Sequence, residues 1–169
     1  MSDTAIAALQ QRLELAEARL EIMDLEAEYA RAWDAGDAVG WAAVFTEDGV
    51  FDLAAVGQGP RLVHTGREEL QAFCAQVDAF YKGLHFMHLP RLQIDGDTAQ
   101  ARVHFQWQGM FNASVQYFGQ RTVLGYYDVR YQRVQGRWLV KHRLEKAVSG
   151  VTTEHYDVYQ SGSLAQGQS

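Results

Sequence analysis

The chain has 169 residues, 47% of them apolar, and 15 Lys and Arg stand against 21 Asp and Glu for a formal charge of −6. That length suits one domain and that apolar share builds a core, which excludes a disordered chain. The acidic balance argues against a nucleic-acid partner, since phosphate binding needs a basic face, and no apolar run reaches the about 18 residues that would cross a membrane.

Ile6, Leu9, Leu13, Ala16, Leu20, Met23, Ala27 and Ala30 recur at steps of three and four, which predicts an amphipathic helix over 5–34. Gly36 ends it. Its first half carries only a narrow stripe, like a coiled-coil seam. From Ile22 the apolar face widens through Leu25, Tyr29 and Trp33. The front is therefore expected to lie over a neighbouring subunit and the rear to enter the core. The start lacks a basic segment followed by an apolar core, so no signal peptide and a cytoplasmic location are expected.

Asp37 is the expected N-cap of a second helix over 37–45. Residues 49–53 and 61–64 read as short strands around a glycine-rich turn. Thr65 to Glu68 has capping-box spacing, and a helix is predicted to run on to Phe80. The lone cysteine, Cys74, falls there with Leu70, Phe73 and Val77 and reads as a buried structural thiol, in keeping with a reducing compartment.

The second half is β. One strand is expected over 84–94, then a turn at Asp95-Gly96-Asp97. Over 98–112, Ala99, Ala101, Val103, Phe105, Trp107 and Phe111 alternate with Gln100, Arg102, His104, Gln106, Gln108 and Asn112. Strands over 120–134 and 137–148 flank a turn at Gln135-Gly136, and the polar segment 160–169 reads as a frayed tail. Helices first and long strands last define one α+β domain over 1–159: a cone-shaped, curved antiparallel sheet packed with helices around a pocket. Trp33, Phe51, Met87, Phe105, Trp107 and Tyr126 are its expected lining, which suits a small hydrophobic ring compound.

Asp34 continues the apolar stripe four residues after Ala30, and a carboxylate there needs a partner. It reads either as a polar residue at the helix end or as an acid orienting a histidine. Tyr29, five residues earlier, lies about 140° away around the helix, so the two share only the edges of one broad face. His85 and His88 are three apart on a strand and face opposite ways, so they are not joint metal ligands. His104 falls on a polar strand face. Strict alternation sets Arg143 beside Lys141 and Glu145 on the wetter side, unless the strand bulges. His64 and His155 show no partner. There is no metal-ligand spacing, dinucleotide fingerprint or nucleophile elbow.

Tyr29-Ala-Arg-Ala-Trp-Asp34 after a long helix, then His85, Asp95-Gly96-Asp97 and Trp138-Leu-Val-Lys-His-Arg143, resembles the SnoaL-like branch of the nuclear-transport-factor-2-like superfamily over residues 8–148. The closest likenesses are to bile-acid 7α-dehydratases and hexachlorocyclohexane dehydrochlorinases, with scytalone dehydratases more distant. The first pattern implies His85 as base with Tyr29 and Asp34, and its arginine position falls on Ala147. The second implies the His85–Asp34 dyad with Arg143, and its lysine position is Tyr29. The sequence mixes the two. The resemblance also implies a homotrimer, with a dimer as alternative, and no cofactor.

The expectation is a cofactor-independent lyase acting on a steroid-like or aromatic ring. Catalytic roles fall to His85, Asp34, Tyr29 and Arg143. An isomerase or epoxide hydrolase on the same scaffold and a non-catalytic binding domain are the alternatives.

Overall fold

The structure is a computed structural model describing residues 2–54, 60–111 and 119–154. Helix α1 spans Asp3–Asp34. It ends in a Schellman motif: Gly36, at φ 68°, bonds Trp33 through its N–H, and the Asp37 N–H reaches Ala32 at 2.9 Å. Its buried positions begin at Ala18, while Ile6, Leu9, Leu13 and Leu20 are 40–61% exposed. The narrow front stripe is thus bare in the single chain, as its pattern predicts.

Helix α2 covers Ala38–Ala43, capped by the Asp37 carboxylate on the Gly40 N–H at 2.8 Å. Strands β1 (Phe45–Leu53) and β2 (Leu62–Thr65) are antiparallel neighbours. Helix α3 spans Gly66–Phe80. Thr65 makes no side-chain cap there. Instead Glu69, not Glu68, accepts the Thr65 N–H at 2.8 Å, and Gly66 takes a positive φ at the first helical position.

The strand expected over 84–94 is two, β3 (Tyr81–Met87) and β4 (Arg91–Asp95). Both pair with β5 (Thr98–Phe111), whose burial alternates as predicted. Met87 faces Phe105 and Arg91 faces Arg102, so three residues of one strand oppose two of the other. Pro90 has no N–H for the ladder and marks this bulge. Before it His85 and Met87 turn inward; after it Leu92 and Ile94 do.

Strands β6 (Gly119–Val134) and β7 (Arg137–Glu154) form a hairpin on a two-residue turn, with Gln135 and Gly136 both at positive φ. The sheet order is β2-β1-β7-β6-β5-β3, with β4 also on β5. The sheet is not wholly antiparallel: β1 runs parallel to β7. That pairing joins strands distant in sequence, which no local pattern reports.

Two bulges in β7 shape the cone. Tyr131 pairs Val140 while Arg130 pairs His142, so Lys141 is extra. Leu124 pairs Ser149 while Gly125 pairs Ala147, so Val148 is extra. The core gathers Ile22, Tyr29, Trp41, Phe45, Phe51, Leu70, Val103, Val129 and Val140, and the buried Cys74 joins it. Burial pushes that thiol up to about 12. No helix among the described residues is long and apolar enough to cross a membrane. The 160–169 tail lies outside the described residues.

At the second bulge a Cβ on Gly125 would collide with the main-chain carbonyl of Lys146. Gly125→Ala is expected to cost about 2 kcal/mol, a fall in Tm of about 6 °C for a chain of this length, measurable by calorimetry.

Candidate active site

The apolar strand faces and the helices close around a cavity of about 210 Å³. α1 contributes Tyr29 and Trp33, α3 contributes Phe73 and Val77, and β1 contributes Phe51 and Leu53. β3 adds Tyr81 and His85, β5 adds Phe105 and Trp107, β6 adds Arg121, Val123 and Tyr127, and β7 adds Glu145. Of the six predicted lining residues, Trp33, Phe51, Phe105 and Trp107 stand here. Met87 packs against the core outside the cavity. Tyr126 lies on the opposite sheet face, where the Arg102 guanidinium covers its ring at 4.1 Å. Neighbouring residues of a strand point to opposite faces, and Tyr127 is the inward one.

Asp34 is the last residue of α1, where the helix dipole disfavours a carboxylate. Two N–H groups of β3 offset this. The His85 main-chain N–H donates to Oδ2 at 2.8 Å, and ring Nδ1 lies 2.7 Å from Oδ1. A carboxylate accepts only, so the proton sits on Nδ1 and the lone pair on Nε2. Nε2 faces the Tyr127 hydroxyl at 3.4 Å. His88 is exposed on the other face, its ring 6.2 Å from that of His104, so the two histidines diverge as their spacing predicts.

Beneath His85 lies a buried aromatic and ionic layer. The Tyr29 ring is 5.9 Å from His85 and 5.8 Å from Tyr127. Arg143 does not line the cavity. Its guanidinium is fully buried, 3.7 Å from the Tyr29 ring centre and 4.6 Å from that of Tyr127. It donates to Glu26, which also accepts the Tyr131 hydroxyl at 2.8 Å. The wetter-side expectation for Arg143 therefore fails, because the Lys141 bulge reverses the alternation beyond it. Burial raises the Tyr29 and Tyr127 hydroxyls well above their ordinary range while Arg143 pulls them back, so both stay phenols and donors. Burial works against the Arg143 charge, and the Glu26 carboxylate overcomes it and holds the guanidinium protonated.

Sequence reasoning missed Glu26, Tyr81, Arg121 and Tyr127 at this site and set Glu145 on the wrong face. Glu26 sits on the apolar face, four residues after Ile22 and three before Tyr29; that signal was readable in α1. Tyr127 was hidden by the choice of its neighbour Tyr126. Glu145 turns inward for the same reason as Arg143. Burial raises its carboxyl to about 7, against the lowering pull of Arg143 and Arg121. Elsewhere His64 stacks on Phe73 at 4.2 Å, and burial lowers its pKa. His155 lies outside the described residues.

A helix-closed α+β cone with an acid–histidine pair opening into an apolar cavity defines the class of protein. Residues 14–144 match the SnoaL-like domain, and the chain belongs to that family. Among solved structures it resembles a protein from Novosphingobium aromaticivorans whose proposed activity is aromatic ring hydroxylation (26% identity, TM-score 0.71, covering 83% of this chain and 94% of that one). A nuclear-transport-factor-2-like protein with a cystatin-like fold from the same organism matches at 23% identity and TM-score 0.63, covering 88% and 91%. Hexachlorocyclohexane dehydrochlorinase type 3 from Novosphingobium barchaimii matches at 15% identity and TM-score 0.72, covering 86% and 98%. No curated protein matches in sequence.

Removing Glu26 strands the Arg143 charge in a dry layer. Glu26→Ala is expected to cost about 3–5 kcal/mol, read as a lower urea midpoint.

Proposed function

We propose that the protein is a cofactor-independent lyase that eliminates a leaving group from a small hydrophobic ring compound, with His85 as general base. The observation that carries this reading is the Nδ1 contact of His85 to Asp34 at 2.7 Å with Nε2 turned to the cavity. Nε2 takes a proton from carbon, and the Asp34 carboxylate stabilises the imidazolium that forms. Tyr29 and Tyr127 donate hydrogen bonds to the departing atom or to a developing oxyanion. Arg143 touches no substrate in this scheme. It is a positioning residue whose charge, behind both tyrosine rings, makes their hydroxyls better donors. An elimination is also the chemistry named by the dehydrochlorinase the fold resembles.

A panel of ring alcohols, hydroxyketones and chlorinated rings, followed by the ultraviolet absorbance of a new conjugated double bond, tests the reading. His85→Gln is expected to lower kcat about 10³-fold with the fold intact. Asp34→Asn should lower kcat more than it raises KM, by about 10²-fold or more. Undiminished turnover by His85→Gln overturns the reading.

The same proposal includes a homotrimer. The bare seam of Ile6, Leu9, Leu13 and Leu20 on α1 forms an apolar stripe of the kind that marks an interaction surface. Light scattering at micromolar concentration should give a multiple of 19.0 kDa, and a clean 19.0 kDa species rejects assembly.

A further inference from the structure

Glu145 is the one acidic side chain among the described residues lining the cavity. It stands in register between Leu53 on β1 and Tyr127 on β6, both of which line the cavity too. β6 and β5 separate β7 from β3, so Glu145 and His85 reach the cavity from different sides. Glu145 is half-buried, and the other carboxylates drawn into the interior have donors: Glu26 has Arg143 and Tyr131, Asp34 has His85, and Asp52 has Arg61. The Glu145 carboxyl forms no hydrogen bond or ion pair with a described side chain. A carboxyl group without a donor among mostly apolar walls is favoured as the acid, here against the pull of Arg121 on the same cavity, and a neutral acid has a proton to give.

We propose that Glu145 is the acid of the cavity, donating its proton to an oxygen atom of an oxygenated ring compound, so that the site binds ring alcohols and ketones and expels water from the alcohols. Its place in catalysis rests on the lyase reading. His85 Nε2 removes the C–H proton, and that electron pair becomes the new C=C bond. The C–O bond breaks with its pair going to oxygen, and the Glu145 carboxyl protonates that oxygen, so water leaves. The proton then passes from the imidazolium back to the Glu145 carboxylate, and alcohol has become alkene plus water. A halide needs no such proton, so an acid at this place selects an oxygen leaving group.

Burial favours the protonated form of Glu145 and outweighs the two cations that oppose it. Burial raises its carboxyl to about 7, with Arg143 on β7 and Arg121 on β6 acting to lower it. Tyr29 on α1 and Tyr127 on β6 stay neutral, and Glu26 on α1 is paired with Arg143. His85 on β3 faces Asp34. A ligand that accepts the proton binds the neutral acid, so binding is tight below this value and weakens above it.

The probe is 1-tetralone, a two-ring ketone, with naphthalene as the ring lacking oxygen; both are titrated calorimetrically on the full chain. Affinity for 1-tetralone should fall about tenfold from pH 6 to pH 8, as the acid form drops from about nine-tenths to one-tenth. Its preference over naphthalene should shrink in parallel. In Glu145→Gln the amide donates at every pH and the dependence should vanish; in His85→Gln it should persist. In unsubstituted protein labelled at glutamate Cδ, one carboxyl resonance should titrate near neutrality, and its midpoint should rise when 1-tetralone saturates the site. This last measurement needs no variant to fold. A flat profile, a dependence that survives Glu145→Gln or is lost in His85→Gln, no preference over naphthalene, or no binding at millimolar concentration overturns the proposal. Binding as expected without any elimination activity would sink the lyase reading and leave the acid standing.

Discussion

A carboxylate at the C-terminal end of a helix faces the unfavourable pole of the dipole, and Asp34 survives there by drawing two N–H groups from β3. That one contact ties the end of α1 to the edge of the sheet. It also sets the orientation of the His85 ring, because the donor to Asp34 must be Nδ1. The Schellman turn at Gly36 stops the helix where the carboxylate meets the strand. The Pro90 bulge lies beyond His85, so the ring keeps its inward register while β4 resumes pairing with the opposite parity.

Below the dyad lies a layer whose energetics differ. Arg143 and Glu26 are both nearly dry, and a buried ion pair offsets its desolvation only where geometry and further hydrogen bonds are good. Here Tyr131 supplies a second donor to Glu26, and the guanidinium lies between two tyrosine rings whose electron-rich faces favour a cation. The pair fixes the floor of the cavity, and its net positive field reaches the hydroxyls of Tyr29 and Tyr127. The site therefore combines an imidazole, neutral donors and a carboxyl in a largely apolar volume, where each interaction is stronger than in water.

This division makes the scaffold adaptable. The cone and its apolar lining come from long strands and from aromatic side chains that tolerate exchange, while chemistry depends on a few inward positions. A solved structure of similar shape is named a hexachlorocyclohexane dehydrochlorinase. On a shared fold, the polar groups of the inner face, rather than the fold, set what a site can do.

Local periodicity determined a great deal by itself. The α1 stripe, the alternation along β5, the hairpin turn at Gln135-Gly136 and the opposed directions of His85 and His88 were legible because each depends on neighbours in sequence. Asp34 could be singled out as a carboxylate needing a partner, and resemblance supplied that partner. What only the tertiary structure decided lies beyond a bulge or across the sheet. One extra residue at Lys141 turned Arg143 and Glu145 inward, and the choice between Tyr126 and Tyr127 depended on which face of β6 met the helices. Side-chain alternation has a period of two, so a single inserted residue inverts every assignment after it. A bulge is stabilised by packing between distant strands, and no local pattern in the chain encodes it.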